Sequence, residues 1–169
     1  MSRMRRSVLT TFGALAIAAG VALGATTVVA PQALERVYGV VQFTTAKAVN
    51  AIVRPEVRLG ASGGERELDR FDGTFTEMVS YARDGVPPVW AAHNNAGGDA
   101  VLPLEIGDEV TVVDAAGAAS IHRVVDVRVT AKYGVKPDEL VGLGGDLALQ
   151  SCFFGEARMR FVGLEAIAA

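Results

Sequence analysis

Among its 169 residues the chain has one cysteine, two histidines, one tryptophan and three lysines. A single cysteine rules out an internal disulfide framework. One cysteine with two well-separated histidines also makes a poor zinc set. The sequence contains no GxSxG elbow, P-loop or HExxH motif, so three common routes to hydrolase, nucleotidase and metalloprotease chemistry are missing. A formal net charge of −3 with scattered arginines lacks the basic face that nucleic acid requires, and no nucleic-acid partner is expected. Glu105, Asp108 and Glu109 lack the regular alternation of oxygen ligands that calcium loops show. They are read as solvated surface, and neither a metal nor a cofactor is expected. There is no internal repeat or low-complexity segment.

The N-terminus carries the strongest positional signal. Residues 1–6, MSRMRR, hold three arginines, and Ser7–Ala30 follows as 24 residues without a charge. At about 1.5 Å per helical residue such a run crosses a hydrocarbon core of roughly 30 Å, with the basic start held on the cytoplasmic side. A cleaved signal peptide has a similar outline, but its apolar region is usually shorter, and here Pro31 follows the plausible cleavage point. The expectation is a single-pass membrane protein with 1–6 cytoplasmic, 7–30 a transmembrane signal anchor, and the remaining 139 residues exported. That length suffices for one domain with its own core.

Residues 31–54 place Leu34, Val37, Val41, Ala48, Val49 and Ile52 close to a helical repeat, with prolines at 31 and 55 bracketing the segment. It reads as a helical stalk or linker, or equally as a helix lying along the domain. From residue 55 the pattern turns to short strands. EVRLG is a candidate strand, ASGGERELDRFDG a charged helical turn between two turns, and TFTEMVSYA is compatible with strand or helix. VPPVWAAHN is extended at its start. GDEVTVVDAAG and ASIHRVVDVRVT alternate as a hairpin. GLGGDLALQSC rises from a glycine loop into a strand, and EARMRFVGLEA is a further strand with Arg158 and Arg160 on one face. The fold class is mainly β, a barrel or sandwich of six or seven short strands over 55–169.

An exported domain with one cysteine leaves three readings for Cys152: an intermolecular bridge, a buried thiol acting as a small hydrophobe, or a nucleophile. A nucleophilic thiol needs an imidazole or a cation beside it. His93 closes the VWAAHN segment, at a strand end that can project into a cleft, whereas His122 lies inside an alternating strand and belongs to one of its faces. Arg158 or Arg160, on the strand after the cysteine, is in reach as an oxyanion donor. Each of these residues also has an ordinary structural role open to it.

At ALQSC the chain resembles the sortases, membrane-anchored cysteine transpeptidases whose signature is Thr-Leu-x-Thr-Cys on a strand, with an arginine on the next strand and a histidine about sixty residues upstream. Leu149 and Cys152 match, while Ala148 and Ser151 replace the threonines. His93 lies 59 residues before Cys152 and His122 only 30, so the family spacing selects His93. The family's arginine precedes an apolar run, as Arg160 does in MRFVGLEA, with Arg158 in reserve. VLPLEIGDEVTVV and HRVVDVRV also look like family segments, and the likeness spans Val89 to Ala166.

The resemblance implies a closed β-barrel with short helices behind the anchor. Cys152 would be the nucleophile, His93 the acid and Arg160 the oxyanion donor. Leu149, Ser151 and Arg158 would serve substrate binding, and Trp90 and Phe153 would line the groove, with packing as the competing role for both aromatics. The implied partners are a Leu-Pro-x-Thr-Gly-like sorting signal of a surface protein and an amine on peptidoglycan or a pilin subunit. A second expectation, from the substituted signature and short front half, is a catalytically weak sortase-like domain acting as an extracellular binding or scaffold module.

Overall fold

Residues spaced by two, Val110 and Val112 in one segment and His122 and Val124 in the next, give strands one inward face and one mixed face, and a sheet buries the first. In the computed structural model, which describes residues 31–167, the chain runs α1 (Pro31–Asn50), β1 (Glu56–Gly63), α2 (Glu65–Leu68), β2 (Phe75–Met78), β3 (Val89–Ala91), β4 (Glu109–Val113), β5 (Ala119–Ala131), β6 (Leu147–Cys152) and β7 (Arg158–Ala166). The expected anchor at 7–30 lies outside these residues, and no described helix is long and apolar enough to cross a membrane. TFTEMVSYA resolves into both of its readings, β2 followed by a 3-10 turn at Val79–Tyr81.

The seven strands are hydrogen-bonded in the order β1-β2-β3-β6-β7-β5-β4, with β4 returning to β1, so the sheet closes into a barrel. β1 is parallel to β2 and to β4, and β3 is parallel to β6. The other pairs are antiparallel. Val57, Phe75, Val110, Val112, Val124, Leu149, Val162 and Leu164 meet inside.

A second apolar cluster lies on the outer face of β3, β6 and β7, where Val89, Ala148, Met159 and Phe161 are covered by Leu140 and Leu143. The loops on either side of this cluster are tied together. The Gly142 N–H donates to the Gly85 carbonyl at 2.9 Å, and Arg83 pairs with Asp138. β7 also needs glycine at 163, because a Cβ there would fall on the carbonyl of Gly144.

α1 lies along the barrel and buries no residue. Leu34, Gly39, Gln42, Phe43, Ala46 and Asn50 are its half-buried residues, and polar and aromatic contacts flank them: Arg36 Nε donates to the Gly155 carbonyl at 3.1 Å, Lys47 pairs with Glu105 at 2.7 Å, and Tyr38 meets Phe154 edge-on at 5.3 Å. Just beyond the helix, Arg54 pairs with Glu109 at 2.6 Å. The helical periodicity at 31–54 therefore yields a helix that rests on the domain through polar and aromatic contacts, with Val37, Val40 and Val41 exposed.

Because the obstacle at Gly163 is backbone, which cannot rotate aside, Gly163→Ala should destabilise the fold by about 1–3 kcal/mol. Urea unfolding followed by circular dichroism measures this, and an unchanged midpoint would contradict the close approach.

Candidate active site

The carboxyl ends of β3 and β6 lie side by side because the two strands are parallel: Val89 pairs with Ala148, Trp90 with Leu149 and Ala91 with Gln150. The Ala92 N–H continues the ladder to the Gln150 carbonyl at 3.1 Å. Two residues beyond Ala91 and Gln150 stand His93 and Cys152, on chain segments roughly 4.8 Å apart. Beyond His93 the chain turns sharply, with the N–H groups of Ala96 and Gly98 both donating to the His93 carbonyl, at 2.9 and 3.0 Å. Gly98 lets this turn sit tightly on β6, since a side chain there would meet the Ala92 carbonyl and the Ser151 hydroxyl.

Side-chain direction follows from the register. In an antiparallel pair, residues directly opposite share a face. Cys152 is opposite Met159, and Gln150 is opposite Phe161, so all four lie on the outer face with the second cluster. The Gln150 Nε2–H donates to the Cys152 sulfur at 3.7 Å and to the Met159 sulfur at 3.4 Å. Burial pushes the thiol above its ordinary range, while the charge of Lys132 and the Gln150 hydrogen bond pull it back. Tyr81 also faces this sulfur, and its phenol is pushed up by burial and then by the thiolate.

His93 has partners of its own. Its Nε2 is 2.9 Å from Asp69 Oδ1, and its ring stacks on Phe71 at 4.7 Å with 9° between planes. The hydrogen-bond partner of the imidazole is thus Asp69 and that of the thiol is Gln150. The structure brings the two groups to neighbouring strand ends without a hydrogen bond between them. Phe71 has a φ of 53°, the sole positive value at a non-glycine among the described residues. A left-handed backbone costs an ordinary side chain about 1–2 kcal/mol. Asp72 supports the turn by accepting from the N–H and hydroxyl of Thr74, at 2.9 and 2.6 Å. Sequence reading missed Asp69 and Phe71; LDRFDG reads as a charged turn, and nothing in it marks a contact to residue 93.

The arginines stand elsewhere. Arg160 is opposite Ser151, on the face that becomes the barrel interior, and its Nη2–H donates to the Leu104 carbonyl. Burial pushes its guanidinium down, with Glu105 opposing. Arg158 shares that face, pairs with Glu156 through Nε at 2.7 Å and lies 5.1 Å from the Phe153 ring centroid. Leu149 and Ser151 are each 0% exposed, so as placed they face the core and not a bound peptide. Trp90 packs against the interior cluster. Phe153, in contrast, lines a cleft of about 610 Å³ between α1 and the strand ends, with Asn94, Asn95, Lys132 and Phe154.

His122 is buried on β5, and its Nδ1 has no hydrogen-bond partner. No group of three or more potential metal ligands occurs among the described residues.

Together these features define a mainly β domain carrying a thiol and an imidazole at adjacent ends of two parallel strands. No family model and no curated protein matches the chain. Its similarity is to solved sortase C structures. Sortase C of Clostridium perfringens, solved with its C-terminal cell wall sorting motif, is 16% identical, with 64% of this chain and 62% of that one covered, at a TM-score of 0.45. Sortase C1 of Streptococcus agalactiae is 18% identical over 64% and 59%, at 0.48. Sortase C-1 of Actinomyces oris is 19% identical over 66% and 68%, at 0.49. The chain thus spans about six-tenths of the length of the first two, and at these identities the likeness is one of fold.

Two predictions follow from the two histidines. Replacing Asp69 and Phe71 together by alanine should speed modification of His93 by diethyl pyrocarbonate, read by peptide mass; an unchanged rate would mean that these contacts do not cover the ring. For His122, burial holds the imidazole below its ordinary value, against the opposing pull of the Asp146 charge and a hydrogen bond to the Ser120 backbone. The folded state therefore binds fewer protons than the unfolded chain below about pH 6.5. This contribution is intact above that pH and is lost as the pH falls below it. The depressed carboxyls of Glu67, Asp72 and Glu105 act in a more acid window, below about pH 4.5. Urea midpoints between pH 7 and 5 should decline in the native chain and flatten in His122→Gln.

Proposed function

We propose that the chain is a sortase-type cysteine transpeptidase. The observation that carries this reading is the parallel β3–β6 register, which sets His93 beside Cys152 where the strand ends meet a cleft. The ALQSC signature and the spacing of His93 support it. The thiolate would attack the carbonyl carbon of the threonine in a Leu-Pro-x-Thr-Gly-like sorting signal. The tetrahedral oxyanion would then collapse, breaking the carbon–nitrogen bond, with the imidazolium of His93 protonating the departing glycine amine. An amine of peptidoglycan or a pilin subunit would attack the resulting thioester, pass its proton to the neutral imidazole and release the thiolate. In this reading residues 7–30 anchor the enzyme in the cell membrane, and residues 31–169 lie outside it.

For this chemistry His93 must leave Asp69 and Phe71 and turn to the sulfur. Active-site hydrogen bonds commonly form only once substrate is bound.

A second reading has its own support. Neither arginine shares a face with Cys152, and burial raises the thiol, which suits a binding module that conducts no chemistry. The two readings separate on Cys152, the chain's sole cysteine. In the full chain in detergent, iodoacetamide should label Cys152 without denaturant, and His93→Ala should change the pH profile of the labelling. With a fluorogenic Leu-Pro-x-Thr-Gly peptide, Cys152→Ala should abolish cleavage and His93→Ala should slow it by about 10²–10⁴-fold. A thiol inert until the protein unfolds would favour the binding module.

A further inference from the structure

We infer that Lys132, and neither Arg158 nor Arg160, is the cation that serves Cys152, standing over its sulfur and over the oxyanion of the carbonyl it attacks. The oxyanion part of this role rests on the transpeptidase reading, while the effect on the thiolate does not.

The register of β5 against β7 carries the inference. Thr130 is opposite Met159, and Ala131 is opposite Arg158. The next step brings the Lys132 N–H to the Ala157 carbonyl at 2.9 Å. Pairs alternate between faces, so Lys132 belongs with Thr130 and Met159. That is the face of Cys152, since Met159 is directly opposite Cys152 on the other side of β7. Thr130 and Cys152 are two strand spacings apart, roughly 9–10 Å, and Lys132 lies two residues, about 6–7 Å, further along the chain. The backbones of Lys132 and Cys152 are therefore about 12 Å apart, and the lysine's flexible four-carbon stem covers part of that distance. Directly opposite Lys132, Ala157 offers only a methyl group.

The surroundings leave this charge available. Lys132 has no ion pair among the described residues, and its Nζ lies 5.7 Å from the centroid of the Tyr133 ring. It lines the same cleft as Phe153, the residue after the cysteine. The carboxylates of that cleft are Glu35, on α1, and Glu156, which is held by Arg158. Of the groups facing the sulfur from each neighbouring element, Tyr81 from the β2–β3 loop, Gln150 on β6 and Met159 on β7 carry no positive charge. His93, after β3, is engaged with Asp69. Lys132 is also the one positive charge that lowers the thiol. Both arginines are directed to the opposite face and hold the Leu104 carbonyl and Glu156.

The test uses the full chain in detergent, with iodoacetamide labelling of Cys152 followed across pH by mass. Lys132→Met should move the midpoint of the labelling profile up by about half to one pH unit, and Lys132→Arg should restore it. Arg158→Met and Arg160→Met, each checked for native circular dichroism, should leave the midpoint in place. With the sorting-signal peptide, Lys132→Met should lower kcat more than it raises KM. A profile that titrates normally but ignores Lys132→Met, or one that shifts instead with either arginine variant, would overturn the role of Lys132 and leave the transpeptidase reading standing. A thiol that stays inert in every folded variant would overturn both.

Discussion

Three residue pairs hold the thiol end of the barrel together: Val89 with Ala148, Trp90 with Leu149 and Ala91 with Gln150. A parallel pair cannot be made by a tight turn, and the chain between β3 and β6 is long enough to supply β4, β5 and the three connections around them. The loop after β5 returns over the outer sheet face and contributes Leu140 and Leu143 to the cluster beside Cys152. The same crossover therefore aligns the strand ends and covers the thiol. Moving the register by one residue would turn His93 and Cys152 toward different faces. The buried alternation of Val89, Ala91, Ala148 and Gln150 on one side and of Leu149 on the other opposes that slip.

Much of the fold was legible because period-two alternation is a local property. The β4–β5 hairpin, the strand ending in Cys152 and the helix beginning at Pro31 all follow from spacing within a few residues. β2 was ambiguous because it is only four residues long, too short to separate one period from another. His93 was read at a strand end, and the parallel register of β3 and β6 runs its backbone to the end of the strand next to that of Cys152. The contacts of Asp69 and Phe71 were not, since they join a turn to a residue 24 positions away and depend on a left-handed backbone at a phenylalanine, which composition does not announce.

The arginines show a subtler limit. Their shared face on β7 was readable, but which face that would be relative to Cys152 depends on the connection between β6 and β7. Residues 153–157 form that turn, closed by the Phe153 N–H to the Arg158 carbonyl at 3.1 Å, with Gly155 at a φ of 61°. This length pairs Cys152 with Met159 and Ser151 with Arg160. A turn altered by one residue would exchange the faces. Sequence distance between a cysteine and an arginine therefore identifies the strand but not the side, and hydrogen-bond register decides the rest.

That decision has an energetic consequence for the nucleophile. The apolar bed of Met159 and its neighbours removes water from the Cys152 sulfur, which disfavours the thiolate, and a nucleophile in such a bed needs a nearby positive charge more than an exposed one would. Turning Arg160 inward sets its guanidinium on the Leu104 carbonyl, where it satisfies a backbone acceptor and no longer reaches the sulfur. A cation serving Cys152 must then approach from the solvent side of the sheet. An exposed lysine at the end of β5 can do so without the desolvation that burial imposes on a charge. Its attraction is screened in turn, so the charge acts most strongly when a bound peptide excludes water from the cleft, which is the moment at which the oxyanion forms.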